Sequence, residues 1–249
     1  MPHKTHIDPT RKYRLKCQQR RKETAFQVVV EETDLWITAH QDLSGPILDF
    51  VHHIRGSIKS YIALHPEFAT SLSPLPVKKN APDIIRSMSQ AASFTGVGPM
   101  AAVAGSIAQA VAEKFAPQSP DILVENGGDT YLFSGRERTI GLLTDPGQEM
   151  SLGLKLVPAD FPCSLCASSG RIGHSLSLGQ GDLVVVKSQS GALADAAATA
   201  LANLLGDKED VNKILERAKE LQDKGVLGVF AQCDDQLGAW GELELITLS

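Results

Sequence analysis

The sequence predicts an α+β fold in which helices cover one face of an antiparallel sheet. Three observations favour this class: strand-like runs come in pairs joined by turn residues, helical runs are grouped between them, and strands and helices do not alternate strictly. The order hairpin, helices, strands, helices, hairpin also indicates two related halves. We expect one domain over residues 1–249, with a basic N-terminal arm at about residues 1–22.

The first part of the chain is predicted to form a hairpin followed by three helices. The predicted segments are strands at 25–31 and 35–39 and helices from Ser44 and over 83–92 and 99–114. Apolar residues three and four apart predict the first helix, which Ser44 would cap and Pro66 would follow. Pro99 suits the first turn of the third helix because its ring already has a helical φ.

The second part of the chain is predicted to begin with strands and to end with two helices and a hairpin. The predicted strands lie at 121–125, 130–133, 138–144, 152–157, 164–168 and 182–188. An alanine-rich helix follows from Gly191, then a charged helix at 208–224 and a closing hairpin at 226–248.

The amino-acid composition limits the classes of protein to which the chain can belong. Apolar residues make up 43% and charged residues 21%, so a sizeable core is expected and global disorder is not. The net charge of −5 argues against a general nucleic-acid binder. Lysine and arginine crowd residues 4–22, which favours a solvated arm over an anion-binding or partner-binding arm.

The chain shows no sign of export or of membrane insertion. No apolar segment follows the basic arm, so the pattern is not that of a signal peptide. The most apolar stretch, 95–112, is short and contains Ser106 and Gln109, which favours a buried helix over a membrane span. We therefore expect a cytoplasmic protein with reduced cysteines.

The alanine-rich helix carries a carboxylate and a hydroxyl on one face. Asp195 and Thr199 are four residues apart, among small side chains that allow close approach. A buried carboxylate needs a partner, and a carboxylate with a hydroxyl is a reasonable partial shell for Mg²⁺. The alternative is that Asp195 caps the helix and Thr199 bonds back to the carbonyl oxygen of Asp195.

Two glycine-containing segments could approach a ligand. Gly127 and Gly128 interrupt a strand pattern in VENGGD, which indicates a hairpin turn or the close approach of another group to the backbone. The segment FTGVGPMAAVAG precedes a helix of small residues and could offer backbone N–H groups to phosphate, but close helix packing explains its glycines equally well.

The segment CSLCASSGRIGHS contains two cysteines with CxxC spacing. A zinc site needs further ligands and a redox centre favours a helix start, so Cys163 and Cys166 are expected to be buried strand cysteines. Ser168, Ser169 and Gly170 suit a turn that faces a ligand, and His174 could act there as a general base.

These motifs occur in an order that resembles the ApbE family, whose flavin transferases move FMN from FAD to a protein threonine. The strings GVGPMAAVAG, VENGGD, SSGxxGHS and ADAAATA are most similar to an uncharacterised ApbE-like family. The resemblance covers about residues 95–206. It implies a T-fold-like ApbE fold, Mg²⁺ bound by Asp195 and Thr199, and FAD or FMN as the ligand.

The resemblance also assigns motif positions. Asp145 and Pro146 match the family's Asp-Pro turn. The resemblance and the glycine and serine patterns together give these candidate residues for binding a ligand or its phosphates: Thr95, Gly96, Gly98, Asn126, Gly127, Gly128, Asp129, Ser168, Ser169 and Gly170. His174 is the candidate catalytic residue.

The chain departs from the transferases in two places. The segment after His174 is SLSLGQGD, without the Asp-Pro that follows the family's histidine, and the lysine expected in the glycine-rich segment is absent. The sequence therefore leaves two main functions open: an FMN-transferase-like enzyme that acts with Mg²⁺ on a flavin or nucleotide pyrophosphate, or a non-catalytic module that binds one. A metal or redox role for Cys163 and Cys166 ranks last. The expected partner is a small molecule, without nucleic acid or membrane, and a homo-oligomer is left open.

Overall fold

An eight-stranded antiparallel sheet organises the chain in the computed structural model, which describes residues 23–142, 151–169 and 183–248. In spatial order its strands are β1 (Thr24–Val30), β2 (Thr33–Ala39), β3 (Ile122–Asn126), β4 (Asp129–Phe133), β7 (Cys163–Ser168), β8 (Leu183–Ser188), β9 (Val226–Cys233) and β10 (Gln236–Gly241). A smaller antiparallel sheet has the order β11 (Glu244–Leu248), β6 (Ser151–Leu156) and β5 (Arg138–Leu142).

The helices fall into two groups, each inserted between two hairpins. The helices are α1 (Ser44–Leu64), α2 (Glu67–Thr70), α3 (Asp83–Thr95), α4 (Val103–Phe115), α5 (Gly191–Ala202) and α6 (Asp210–Glu220). The first four connect β2 to β3, and the last two connect β8 to β9. Each half is thus a hairpin, a group of helices and a second hairpin, and each supplies four neighbouring strands. The predicted α+β fold with two related halves is confirmed.

The two faces of the large sheet bury different layers, because successive strand residues point to opposite faces. Ile37, Val124 and Tyr131 belong to the core that α1, α3 and α4 cover. On the opposite face, Leu165 and Phe230 pack with residues of the small sheet. The helices lie on one face, as expected. The second sheet on the other face was not predicted.

Helix α5 lies at the seam between the two halves. Its Ala192 and Ala196 pack in the core of the first half, and its Leu193, Ala197 and Leu201 pack in that of the second. Because both sides of the helix are buried, alanine allows neighbours on every side to come close.

Three local predictions were wrong in detail. The first helix begins at Ser44, but Leu43 is its N-cap residue and no side chain caps it. The predicted helix at 99–114 is a 3₁₀ turn, Pro99–Ala102, followed by α4. The closing hairpin has a third strand, β11, which leaves the large sheet and pairs with β6.

The apolar stretch at 95–112 lies mostly in α4, which is largely buried. No single helix in the described ranges is long and apolar enough to cross a membrane, and the one pair that together meets the length and composition criteria, Asp83–Thr95 with Pro99–Phe115, is bent by 108°. The basic arm lies outside the described residues, so its role and the domain limits remain predictions.

Candidate functional site

Asp195 lies in the second turn of α5 and its carboxylate is directed at α4. The backbone N–H of Gly105 donates to its Oδ2 at 2.8 Å, and Gly105 is in the first turn of α4. The positive end of a helix favours a carboxylate at this place. The cap of α5 is instead Ser190, whose Oγ accepts from Leu193 N–H at 3.3 Å. The alternative that Asp195 caps its own helix is therefore wrong.

This contact depends on a very close crossing of α4 and α5. A Cβ atom added to Gly105 would lie 2.2 Å from the carbonyl oxygen of Gly191 and 2.8 Å from Cβ of Asp195. A Cβ atom on Gly191 would lie 2.3 Å from the carbonyl oxygen of Gly105. Only glycine at both positions allows the two backbones to meet.

Two further side chains fix the segment that enters α5. Gln109 Oε1 accepts from Gly191 N–H at 2.7 Å, and the hydroxyl of Tyr131 donates to the carbonyl oxygen of Gln189 at 3.1 Å. The start of α5 is thereby held to α4 and to β4, one turn before Asp195. Gly105 and Gln109 were not predicted as site residues. The sequence feature that could have identified them is their separation by four residues, which places both on one face of the helix of small residues.

Asp129 begins β4 directly after a two-residue turn. Gly127 and Gly128 have φ values of 71° and 111°, and Asn126 pairs with Asp129. Positive φ at both central residues is what the type I′ hairpin turn requires, and it explains the glycines. Glu125 Oε1 accepts from Gly128 N–H at 2.8 Å and stabilises the turn. The hairpin-turn interpretation is confirmed, and a ligand role for these glycines remains a prediction.

Strand register places Asp129 beside Cys166. Thr130 pairs with Leu165, so continuing the register by one residue sets Asp129 opposite Cys166. The thiol forms a hydrogen bond with the Asp129 carboxylate and lies 3.8 Å from the carbonyl oxygen of Gly191 in α5. Asp129, Cys166 and the first turns of α4 and α5 therefore meet at one point under the helix crossing.

The two carboxylates at this point destabilise each other's charge. Burial, with a contribution from the charge of Glu125, raises the pKa of Asp129 to about 7. Burial and the charge of Asp129 raise the pKa of Asp195 well above its usual range, although N–H groups of Gly105 and Ala104 oppose the shift. Among the described residues, no lysine, arginine or histidine forms an ion pair with either carboxylate.

The raised pKa of Asp129 predicts how stability depends on pH. Between its unfolded value near 3.8 and its folded value of about 7, the folded protein binds more protons than the unfolded chain. The free energy of unfolding in EDTA should therefore fall as the pH rises through this window. We expect a lower melting temperature at about pH 8 than at about pH 5.5, and a smaller difference in Asp129→Asn. If the melting temperature changed with pH equally in wild type and in Asp129→Asn, the pH dependence would not come from Asp129.

Other predicted residues lie near the two carboxylates. Ser168 is buried on the same face of β7 as Cys166, and its Oγ has no hydrogen-bond partner within the described part of the chain. Asn126 Nδ2 donates to the carbonyl oxygen of Ala104 at 3.1 Å and so contacts the start of α4. Ser169, which follows Ser168, is half-buried, as is Thr199, one helical turn after Asp195. The structure shows no bond from Thr199 back to the Asp195 carbonyl within the described residues.

The predicted phosphate loop has internal structural roles. The hydroxyl of Thr95 donates to the carbonyl oxygen of Ala91 at 2.8 Å, and Gly96 ends α3 with a φ of 83°. A Cβ atom on Gly98 would lie 1.8 Å from the carbonyl oxygen of Ser71. Because α5 packs against α3 and against the 3₁₀ turn that begins at Pro99, the loop still lies beside the α5 helix. Phosphate binding there remains a prediction.

Some predicted residues lie outside the described ranges. These residues are Asp145, Pro146, Gly170 and His174. Their roles remain those that the sequence suggested.

Cys163 and Cys166 are buried strand cysteines, as predicted, and they face opposite sides of the sheet. Cys163 packs against the small sheet, whereas Cys166 packs under the helices, because an odd spacing along a strand changes face. This geometry rules out a metal or a disulfide shared by the two sulfurs. Burial raises the pKa of the Cys163 thiol to about 12 and that of Cys166 well above its usual range.

We therefore expect both thiols to react slowly while the protein is folded, since the thiolate is the nucleophile. Labelling with iodoacetamide at about pH 8, followed by peptide mass spectrometry, should modify Cys163 and Cys166 only after denaturant is added. Elemental analysis should find no stoichiometric zinc. Rapid labelling of the native protein, or bound zinc, would contradict this assignment.

The donors at the helix crossing fit a hard cation better than a soft one. The described residues contain no group of three or more histidine, cysteine, aspartate or glutamate side chains that could hold a metal. Two carboxylates with a nearby hydroxyl suit Mg²⁺, which takes few protein oxygens and keeps water and phosphate as its other ligands. The unpartnered Oδ1 of Asp129 and Oγ of Ser168 are oxygen donors of this kind.

Comparison with known proteins agrees with the fold. The chain is 34% identical to a UPF0280 protein of Methanocella arvoryzae over 227 aligned residues. The alignment covers 91% of each chain. It is 34% identical over 225 residues to a UPF0280 protein of Archaeoglobus fulgidus, covering 89% of this chain and 90% of the other.

Solved structures of low sequence identity share the architecture. The flavin transferase ApbE from Vibrio cholerae superposes with a TM-score of 0.59 at 12% identity, covering 88% of this chain and 96% of that chain. The ApbE protein of Thermotoga maritima superposes with a TM-score of 0.59 at 10% identity. The superposition covers 89% of this chain and 96% of that chain. These likenesses show the fold alone.

A family profile described as AbpE bacteria matches residues 16–242, which is most of the chain. The motif order in the sequence, the two hairpin–helices–hairpin halves and the UPF0280 relatives agree with that match. The chain therefore belongs to this ApbE-like family.

Proposed function

We propose that the chain binds a flavin or a related nucleotide pyrophosphate together with Mg²⁺ at the crossing of α4 and α5, and that it acts on this ligand as an FMN-transferase-like enzyme. The observation that carries the proposal is the buried carboxylate of Asp195, which faces Asp129 without a cationic side chain from the described residues. A buried carboxylate pair of this kind is costly unless a cation binds it.

Asp195 and Thr199 would hold the cation from α5. The N–H of Gly105 fixes the orientation of the carboxylate, and the close helix crossing brings the two backbones together beside it. Mg²⁺, when bound, would neutralise charge on the phosphates of the ligand. Thr95, Gly96, Gly98 and the turn at Gly127 and Gly128 would border the ligand, and His174 would accept a proton from the acceptor group.

The relatives with this fold support a flavin ligand in particular. Three of the solved structures that match are named flavin or flavinyl transferases. The proposal extends that ligand class to this chain because the same fold brings a paired-glycine hairpin and the Asp195 helix together here.

A non-catalytic binding module is the second candidate function. The observation that favours it is the segment SLSLGQGD after His174, which lacks the Asp-Pro of the transferases, together with the missing lysine in GVGPMAAVAGS. Such a module would keep the cation and the phosphates but release the ligand unchanged.

Calorimetric titration with FAD, FMN and ATP tests the proposal. Each ligand is titrated into the full chain with Mg²⁺ and, in parallel, with EDTA. We expect tighter binding with Mg²⁺ and preference for the flavin dinucleotide. No Mg²⁺-dependent binding of any of the three would contradict the proposed function.

Product analysis then separates the two candidates. The enzyme should release AMP from FAD in the presence of Mg²⁺, with FMN either free or attached to a threonine-containing acceptor. Binding of FAD with no AMP after prolonged incubation would support the binding module instead.

A further inference from the structure

We propose that Asp129 is a second protein ligand of the divalent cation, so that the cation lies between strand β4 and helix α5 and is not held by α5 alone. This inference rests on the proposed function. It gives Asp129 a different role from the contact with ligand or phosphate that the sequence suggested.

The first observation is that Asp129 is buried and that one of its carboxylate oxygens has no partner within the described ranges. The residue is 3% exposed, and its Oδ1 atom has no hydrogen-bond partner in the described portion of the chain. An orphaned carboxylate oxygen at this depth loses its hydration without replacement, which is costly. Among the described residues, the charges of Asp195 and Glu125 interact with it, and both are negative.

At two other places in the described residues, a carboxylate is neutralised by cations of the chain. The side chain of Glu23 is buried and forms ion pairs with Arg136 and Arg138. Asp160 forms an ion pair with the buried Lys187 at 2.7 Å. Asp129 and Asp195 differ from these sites because the described residues supply negative groups and no positive one, so the counter-charge that we assign to the cation is not provided by the described part of the chain.

Ser168 provides an independent observation that points to the same ligand. Its side chain is 4% exposed and its hydroxyl also has no partner among the described residues. Ser168 follows Cys166 by two positions, so both side chains face the helices on the side where Asp129 lies. A hydroxyl and two carboxylates are the hard oxygen donors that Mg²⁺ and Mn²⁺ prefer.

The chemistry of the neighbours argues against the alternatives. A phosphate placed directly against Asp129 would meet two carboxylates in a buried setting and would be repelled. A soft metal would require a further sulfur or nitrogen ligand beside Cys166, yet Cys163 packs on the opposite face of the sheet. A hard divalent cation between the two carboxylates satisfies both oxygens and leaves positions for water and phosphate.

Binding of Mn²⁺ alone to the full chain tests the inference. Free Mn²⁺ is measured by electron paramagnetic resonance for wild type, Asp129→Asn and Asp195→Asn without nucleotide. Both variants should weaken Mn²⁺ binding by at least the ~10- to 100-fold that loss of an outer-shell partner costs. Melting curves in EDTA at about pH 8 should show that neither variant is less stable than wild type, because each removes one of two repelling charges.

Asp160→Asn is the matched control. It removes a carboxylate that Lys187 neutralises, so it should lower stability in EDTA and leave Mn²⁺ affinity unchanged. Wild-type affinity in Asp129→Asn, with loss in Asp195→Asn, would overturn the inference and leave the proposed function standing. Absence of Mn²⁺ binding by wild type would overturn both.

Discussion

Asp195→Asn should abolish the stabilisation of this protein by Mg²⁺ and the Mg²⁺-dependent binding of FAD, while the fold persists. Asparagine keeps the shape of the side chain, and its Oδ1 can still accept from Gly105 N–H. The change also removes one of two buried carboxylates that repel each other. We therefore expect the variant in EDTA at about pH 8 to be more stable than wild type by about 1–3 kcal/mol, the usual cost of an unsatisfied buried group.

Thermal melting with Mg²⁺ and with EDTA, with and without FAD, measures both effects. Asp210→Asn is a matched control because Asp210 also accepts backbone N–H groups near a helix start, from Gly206 and Asp207, but is paired with Lys213. The control should lose some stability and keep its response to Mg²⁺. A full Mg²⁺ response in Asp195→Asn would refute the assigned role of Asp195.

Gly105→Ala should be strongly disruptive. The added Cβ would lie 2.2 Å from the carbonyl oxygen of Gly191 and 2.8 Å from Cβ of Asp195, so the two helices must move apart. We expect a loss of about 1–3 kcal/mol in the free energy of unfolding, as for other overpacked sites. The cation affinity should fall as well, because the Asp195 carboxylate would move away from the start of α4.

Gly56→Ala in α1 is the control for this change. No atom lies within 4 Å of the Cβ position there, so alanine should stabilise the helix by about 0.5–1 kcal/mol. Urea denaturation gives both free energies. If Gly105→Ala were as stable as Gly56→Ala, the close helix crossing would be incorrect.

The sequence predicted the elements that depend on local pattern. The two strand-like runs of the hairpin at β1 and β2 and the period near 3.6 in α1 appear in the structure with small changes at the ends. The glycine pair before Asp129 predicted a turn because the backbone there requires positive φ. The odd spacing of Cys163 and Cys166 along a strand also places them on opposite faces.

The parts that depend on distant pairing could not be predicted in the same way. The small sheet joins β5 and β6 to β11 at the end of the chain, and nothing in the local pattern specifies that partner. The proximity of Asp129 to Asp195 arises from the pairing of β4 with β7 and from the helix crossing. The spacing of Asp195 and Thr199 predicted a cation, but the second carboxylate became apparent only from this packing.

The most direct test is a crystal structure of the full chain with Mn²⁺ and FAD, using the anomalous scattering of manganese. We expect one strong anomalous peak at the crossing of α4 and α5, within bonding distance of carboxylate oxygens of Asp195 and Asp129, with FAD phosphate oxygens completing its coordination. A manganese peak elsewhere on the protein, with no metal bound to Asp195, would contradict the assigned cation site.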